Sequence, residues 1–291
     1  MPALGTHVRH SEELPQHALY AVPTRIDQIG RIVAPVYING QGPFRFMLDT
    51  GANHTVLAEA AARRLGLDPD GRSVVVQGVN GVSSAPTVWV QQLAAGELSY
   101  DDVHMPVLSG PVLDDLDGIL GMDALAHRKI AANFGDDSVR ITDSDGRRAR
   151  NDRIVIPVRL LSGRLALIDS TVGRLAVAAV IDTGSPRTLG NPALQRALQG
   201  QRAHNEQAHA TSVIDASALE RPGEAQWAPP IRLGGATIND ATITFGDFDI
   251  FHAWGLADRP ALLIGMDVLG TLSEFAIDYR RLELQLLTLK P

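Results

Sequence analysis

The chain has 291 residues, enough for about two ordinary domains. Its formal charge of −7, from 26 basic and 33 acidic side chains, argues against a general binder of nucleic acid or anionic membrane, which asks for a basic face. With no cysteine, disulfides, thiol catalysis and cysteine–zinc sites are excluded, and no apolar run approaches the roughly 18 residues of a membrane helix.

The first segment, MPALGTHVRHSEELPQ (1–16), has no apolar stretch of the signal-peptide kind and reads as an N-terminal arm. RIVAPVYING and GPFRFMLDTG follow as two β-rich runs, predicted to form a hairpin around Asn39-Gly40-Gln41-Gly42. The second run ends in Asp49-Thr50-Gly51. VLAEAAARRLGL (Val56 to Leu67) is rich in helix formers and ends near Gly66, which predicts a short helix. SVVVQGVNGVSSAPTVWVQQL reads as strand, glycine-rich tip and strand. Leu120 to Leu125 reads as a buried strand passing through Gly121 into a short helix. TDSDGRRARND (Thr142 to Asp152) is polar and charged, as an exposed linker should be. Beyond it, RLALIDSTVGRLAVAAVIDTG predicts a hairpin turning at Val172-Gly173-Arg174. NPALQRALQG predicts a helix with Pro192 in its first turn and Gly200 as its stop. GGATIND (Gly234 to Asp240) reads as a hairpin turn rather than a phosphate loop, because no helix pattern follows it.

The elements after the linker repeat those before it. An offset of 133 residues sets Asp49 on Asp182, Arg31 on Arg164, Gly40 on Gly173 and His54 on Arg187. DGILGMDAL (Asp117 to Leu125) resembles ALLIGMDVL (Ala261 to Leu269), and IAANFGDDSVRI resembles FAIDYRRLELQL, which sets Asn133 on Asp278. The path from Asp182 to Gly265 is longer than that from Asp49 to Gly121, so the second half carries an insertion. The expected organisation is an arm at 1–16, a lobe at 17–142, a linker at 143–152 and a second lobe at 153–291. Two copies facing each other across an approximate two-fold axis bring equivalent residues together.

A single buried carboxylate is costly and normally shifts its pKa until it is neutral. Two that face each other share one proton, so one serves as base and the other as acid. That arrangement suits addition of water to an amide without a Ser or Cys nucleophile. Glycine after each Asp lets the backbone turn tightly and its N–H approach the carboxylate. Threonine offers a hydroxyl that can bond across the pseudo-two-fold. An aspartate at a strand end also serves as a turn cap, and the duplicated context favours the paired reading. Asp123 and Asp267 read as first-turn helix acids. His54 and Arg187 read as surface or subsite residues particular to each lobe, and His204 and His209 have no metal-ligand company.

Asp49-Thr50-Gly51-Ala52 and Asp182-Thr183-Gly184-Ser185, each followed by an apolar-apolar-Gly element (Ile119-Leu120-Gly121 and Leu263-Ile264-Gly265), resemble the motifs of retropepsin-type aspartic proteases. The resemblance spans about Ala21 to Leu286. It implies a mostly β fold of two similar retropepsin-like β-barrel lobes with pseudo-two-fold symmetry and a few short helices. It also implies catalytic Asp49 and Asp182, supported by Thr50, Gly51, Ala52, Thr183, Gly184 and Ser185. The Thr residues are expected to form a cross-lobe lock, and HALYAVP and LQLLTLK to join a sheet between the lobes. Gly78, Val79, Asn80, Gly81, Val82 and Trp89 are expected at a flap over an extended peptide. The second flap falls in HATSVIDASALERPGEAQW, with a longer polar tip and hence an asymmetric cleft.

The expected function is a monomeric aspartic endopeptidase acting on a protein or peptide substrate, without metal, cofactor, nucleic acid or transmembrane segment. The alternative is a non-catalytic or latent peptide-binding module, with the arm up to about Leu19 covering the cleft. Little Lys beside much Ala and Arg resembles bacterial composition, and both an envelope and a cytoplasmic location fit it. Ser185 against Ala52 predicts that a hydroxyl favours ionisation of Asp182 and that the pH optimum is less acidic than with Ser in both places, so that a maximum below about pH 3 would contradict it.

Overall fold

The computed structural model describes residues 22–23, 25–26, 30–96, 98–199 and 208–288. The chain is mostly β, in three sheets with five short α-helices among the described residues. None of these helices is long and apolar enough to cross a membrane.

The first half is built on an eight-stranded sheet. Ile32–Ile38 and Gln41–Leu48 form the expected hairpin, with Asn39 and Gly40 at φ 51° and 72° in its turn. Both turn residues thus have positive φ, as a tight type I′ turn requires. The second run then pairs in parallel with Gly118–Leu120, which pairs antiparallel with Val56–Ala58. The same plan recurs in the second half, within a ten-stranded sheet. Leu165–Val172 and Leu175–Ile181 form a hairpin, and the latter strand runs parallel to Ala261–Ile264, which pairs antiparallel with Leu189–Gly190. Helices follow at Glu59–Leu65, closed by Gly66 at φ 66°, and at Pro192–Gln199. Gly200, the expected stop of the second, lies outside the described residues.

The third sheet joins the halves through six strands. At its centre Arg128–Asn133 pairs antiparallel with Glu274–Asp278, placing Ala131 opposite Ala276. Ser138–Asp143 and Glu283–Leu287 flank this pair on either side, followed by Val22–Pro23 and Ile154–Pro157. Of HALYAVP, only Val22–Pro23 falls within the described residues. Asn133 and Asp278 close the two hairpins alike, each side-chain oxygen accepting two backbone N–H groups. The segment after Asp143 is mostly exposed but is not a free linker. Ser144 is buried and donates to Asp278 at 2.8 Å, while Arg280 and Arg281 hold the Ser144 and Gly146 carbonyls. The buried carboxylate of Asp278 needs a donor, and Ser144 is one of its donors.

The strand that carries Asp49 is held between neighbours at very close range. A Cβ on Gly118 would lie 2.4 Å from the Val56 carbonyl oxygen and 2.5 Å from the Phe46 ring, all of them packed in the core. Backbone and a fully buried ring cannot step aside cheaply. Gly118→Ala is therefore expected to destabilise the protein by about 3 kcal/mol, the upper range of overpacking costs, measured as the change in unfolding free energy in urea.

Candidate active site

Each predicted Asp leaves its central strand on a backbone hydrogen bond to the neighbouring parallel strand. Asp49 N donates to Leu120 O and Asp182 N to Ile264 O, both at 3.0 Å. The apolar-apolar-Gly element thus has a defined task. A Cβ on Gly121 would lie 2.4 Å from His54 O, and one on Gly265 would lie 2.5 Å from Arg187 O. Glycine lets the loop after each Asp pack directly on the strand end. Met122 N then donates to Ala52 O and Met266 N to Ser185 O, both at 2.8 Å.

Four hydrogen bonds join the two loops. Thr50 Oγ1 donates to Ile181 O at 2.9 Å and accepts from Thr183 N at 3.1 Å. Thr183 Oγ1 donates to Leu48 O at 2.8 Å and accepts from Thr50 N at 3.1 Å. Both threonines are fully buried, so these bonds are made without competition from water.

The lock sets the carboxyls face to face. Asp49 Oδ1 accepts from Gly51 N (2.8 Å) and Ala52 N (2.9 Å), and Asp182 Oδ1 accepts from Gly184 N (2.8 Å) and Ser185 N (3.2 Å). Each carboxyl packs against the opposite loop, close enough for the pair to share one proton. The glycines make room for it. A Cβ on Gly51 would lie 2.4 Å from Asp182 Oδ2, and one on Gly184 would lie 2.1 Å from Asp49 Cγ. Burial raises the pKa of Asp49, opposed by the Gly51 N–H, the Asp182 hydrogen bond and the Ala52 N–H. Burial raises Asp182 further, and the charge of Asp49 adds to the rise.

That order reverses the expectation from Ser185. Its hydroxyl donates to Arg187 O at 2.7 Å instead of to the carboxylate. Asp182 is also only 5 % exposed, whereas Asp49 is half-buried and opens on the cleft. Desolvation therefore decides the pair, and the proton belongs on Asp182.

Asp123 and Asp267 lie in the first turns of four-residue helices, too short for a sizeable dipole. Their carboxylates accept from Thr55 and Thr188, through both backbone N–H and hydroxyl in each case. The same hydroxyls accept from Gly121 N and Gly265 N at 3.1 Å. Thr55 and Thr188 are a matched pair at the same offset of 133 residues, and that repeat is the signal that identifies them.

Above the carboxyls lies a cavity of about 420 Å³, walled by apolar side chains such as Met47, Val56 and Ile119 from one half and Leu189, Ile250 and Trp254 from the other. Two hairpins roof it. Pro69–Gly78 and Gly81–Ala95 form the first, with Val79 and Asn80 at its tip, and His209–Ile214 and Glu220–Trp227 form the second. Gly78 and Val79 line the cavity beside Val76 and Gln77. Asn80, Gly81, Val82 and Trp89 fall outside that lining, and the last two side chains are exposed.

Asn80 is buried against the second hairpin instead. Its N–H donates to Asp215 Oδ2 at 2.9 Å, and its Nδ2 donates to Val213 O and Leu219 O, both at 2.7 Å. Ser83 Oγ and Ser217 Oγ are 2.9 Å apart, and Ile250 N donates to Val79 O at 3.0 Å. Ile250 belongs to Asp249–Ala253, a helix in the longer second half whose counterpart is the 3₁₀ turn Pro111–Leu113. Among the described residues, no group of three or more His, Asp or Glu is arranged to hold a metal ion.

Residues 34–124 match the family model described as aspartyl protease. The segment holds Asp49-Thr50-Gly51, the hairpin of Pro69–Gly78 and Gly81–Ala95, and Gly121. On that match this segment is similar to aspartyl proteases. No curated protein matches the chain.

Two outcomes follow from this geometry. Asp182 keeps its proton in the folded chain to higher pH than in the unfolded chain, where the carboxyl titrates near 3.8. As pH rises above that value, the unfolded state releases the proton first, so stability falls until the folded carboxyl also ionises. Asp182→Asn removes this loss. Its melting temperature should exceed that of wild type at about pH 7, and the gap should close near about pH 3. In a chain without cysteine, the pair Ser83→Cys and Ser217→Cys should form a disulfide on mild oxidation. Thiol titration of the folded double variant should then find no free thiols.

Proposed function

We propose that the protein is an aspartic endopeptidase in which Asp49 and Asp182 activate water between them. The observation that carries this reading is the pair of carboxyls, each packed against the glycine of the opposite loop and held there by a reciprocal threonine lock. Asp49, the more exposed and more readily ionised member, takes a proton from water as it adds to the scissile carbonyl carbon. Asp182 gives its proton to the carbonyl oxygen. In the second step the proton gained by Asp49 passes to the amide nitrogen, the C–N bond breaks, and Asp182 recovers its proton from the tetrahedral intermediate. The substrate lies extended beneath the two hairpins. No cofactor enters this scheme.

The proposed organisation is an internal duplication, with lobes at 17–142 and 153–291 joined by 143–152, acting as a monomer. Its support is the recurrence of one strand pairing in each half and the matched pairs Asp49/Asp182, Thr50/Thr183 and Thr55/Thr188. The arm at 1–16 lies outside the described residues.

Asp49→Asn and Asp182→Asn should each reduce cleavage of a denatured protein by at least about 10³-fold while leaving the chain folded, since each removes one half of the acid–base pair. Full activity in either variant would refute the mechanism. Peptide binding by wild type without cleavage between about pH 3 and 8 would favour the non-catalytic or latent module instead.

A further inference from the structure

Two matched positions in the lining of the cleft differ in charge. His54 and Arg187 occupy matched positions, five residues after Asp49 and Asp182, and both line the cavity. His54 Nδ1 lies 3.8 Å from the Asp123 carboxylate, so any charge on it has a local counter-ion. Arg187 has none among the described residues. Its Nη1 donates to Thr211 Oγ1 at 2.9 Å, on the second flap hairpin, and it takes part in no ion pair with a described carboxylate. Asp115, another acid of the lining, is held by both of its oxygens on Arg31, at 2.8 and 2.6 Å.

A guanidinium carries five N–H donors in a planar fork. The Thr211 hydroxyl takes one and fixes the plane, leaving the others for a carboxylate that enters the cleft. The Arg187 side chain is exposed, so a carboxylate reaches it at the cost of some competition from water.

We propose that Arg187 is a specificity-determining residue that selects peptide segments bearing an acidic side chain on the side docked against the second half, with apolar side chains flanking the scissile bond. The proposal rests on the peptide-hydrolysis reading for its turnover arm alone. The charge match also sets the direction in which a peptide lies, because His54, at the matched position, faces Asp123 instead.

The test uses fluorogenic peptides with an apolar core, in pairs that carry Glu or Lys at each position on either side of it. Wild type should favour Glu over Lys by on the order of tenfold in kcat/KM at one position, with the ratio shrinking as salt rises. Arg187→Gln should flatten the ratio and Arg187→Glu should invert it, whereas Arg174→Glu, at a hairpin turn, should leave it as in wild type. A second arm measures binding of the same peptides to Asp182→Asn by fluorescence anisotropy, with and without the Arg187 changes. If no peptide is cleaved but Glu binds better and the preference inverts with Arg187→Glu, the hydrolysis reading fails and the charge selection stands. A Glu-to-Lys ratio that is the same in wild type and Arg187→Glu, in both arms, overturns the proposal.

Discussion

Everything in the site depends on bringing two carboxyls together where water cannot separate them. Each carboxyl alone would be a costly buried charge, and together they are tolerable only with one proton between them. The threonine lock enforces that meeting. Each hydroxyl reaches the carbonyl of the strand end that precedes the other Asp, so neither loop can relax without breaking bonds to both halves. A net hydrogen bond contributes about 1 kcal/mol, so the greater effect of the lock is to prevent desolvated partners from being left unpaired. Gly51 and Gly184 complete the constraint, because any side chain there would overlap the opposite carboxyl.

The roof above the carboxyls is held by a different balance. Asn80 brings three hydrogen bonds to the second hairpin, and the Asp215 carboxylate it meets also accepts from Ser217 N and Leu219 N. Against these gains, Asn80 Oδ1 is buried without a partner. An unsatisfied buried acceptor costs about 1–3 kcal/mol, which offsets much of what the other contacts contribute. Opening the tips returns that oxygen to water. The contact between the two tips is therefore a modest net preference.

The parts of this structure that were legible in the sequence are those written in adjacent residues. The hairpin around Asn39-Gly40, the Asp-Thr-Gly loops and the glycines that end the short central strands all follow from local pattern, and the repeat exposed their pairing. What the sequence concealed were side-chain choices made by distant neighbours. Asp123 looked like a helix acid because its partner Thr55 lies 68 residues away. Asn80 looked like a substrate contact because it sits between glycines at a turn, and only the folded second hairpin turns it aside. The Ser185 hydroxyl could have faced either the carboxylate beside it or the Arg187 carbonyl, and loop geometry selected the carbonyl. Desolvation then assigned the proton opposite to the way composition alone had pointed.

These differences between the halves share a physical origin. In a symmetric dimer of identical chains, each residue appears on both sides of the axis, so a cationic side chain at one end of the cleft is necessarily present at the other. A chain that carries both halves has no such restriction. It holds Arg187 where the other half holds His54, a five-residue helix against one hairpin tip where its counterpart is a 3₁₀ turn, and a buried Asn80 that inserts into a turn of different length. The central loops have not used that freedom, since the lock and the glycine clearances work only when each half supplies what the other lacks. Symmetry is thus retained where the two carboxyls need equal partners, and it is lost along the cleft walls and at the hairpin tips.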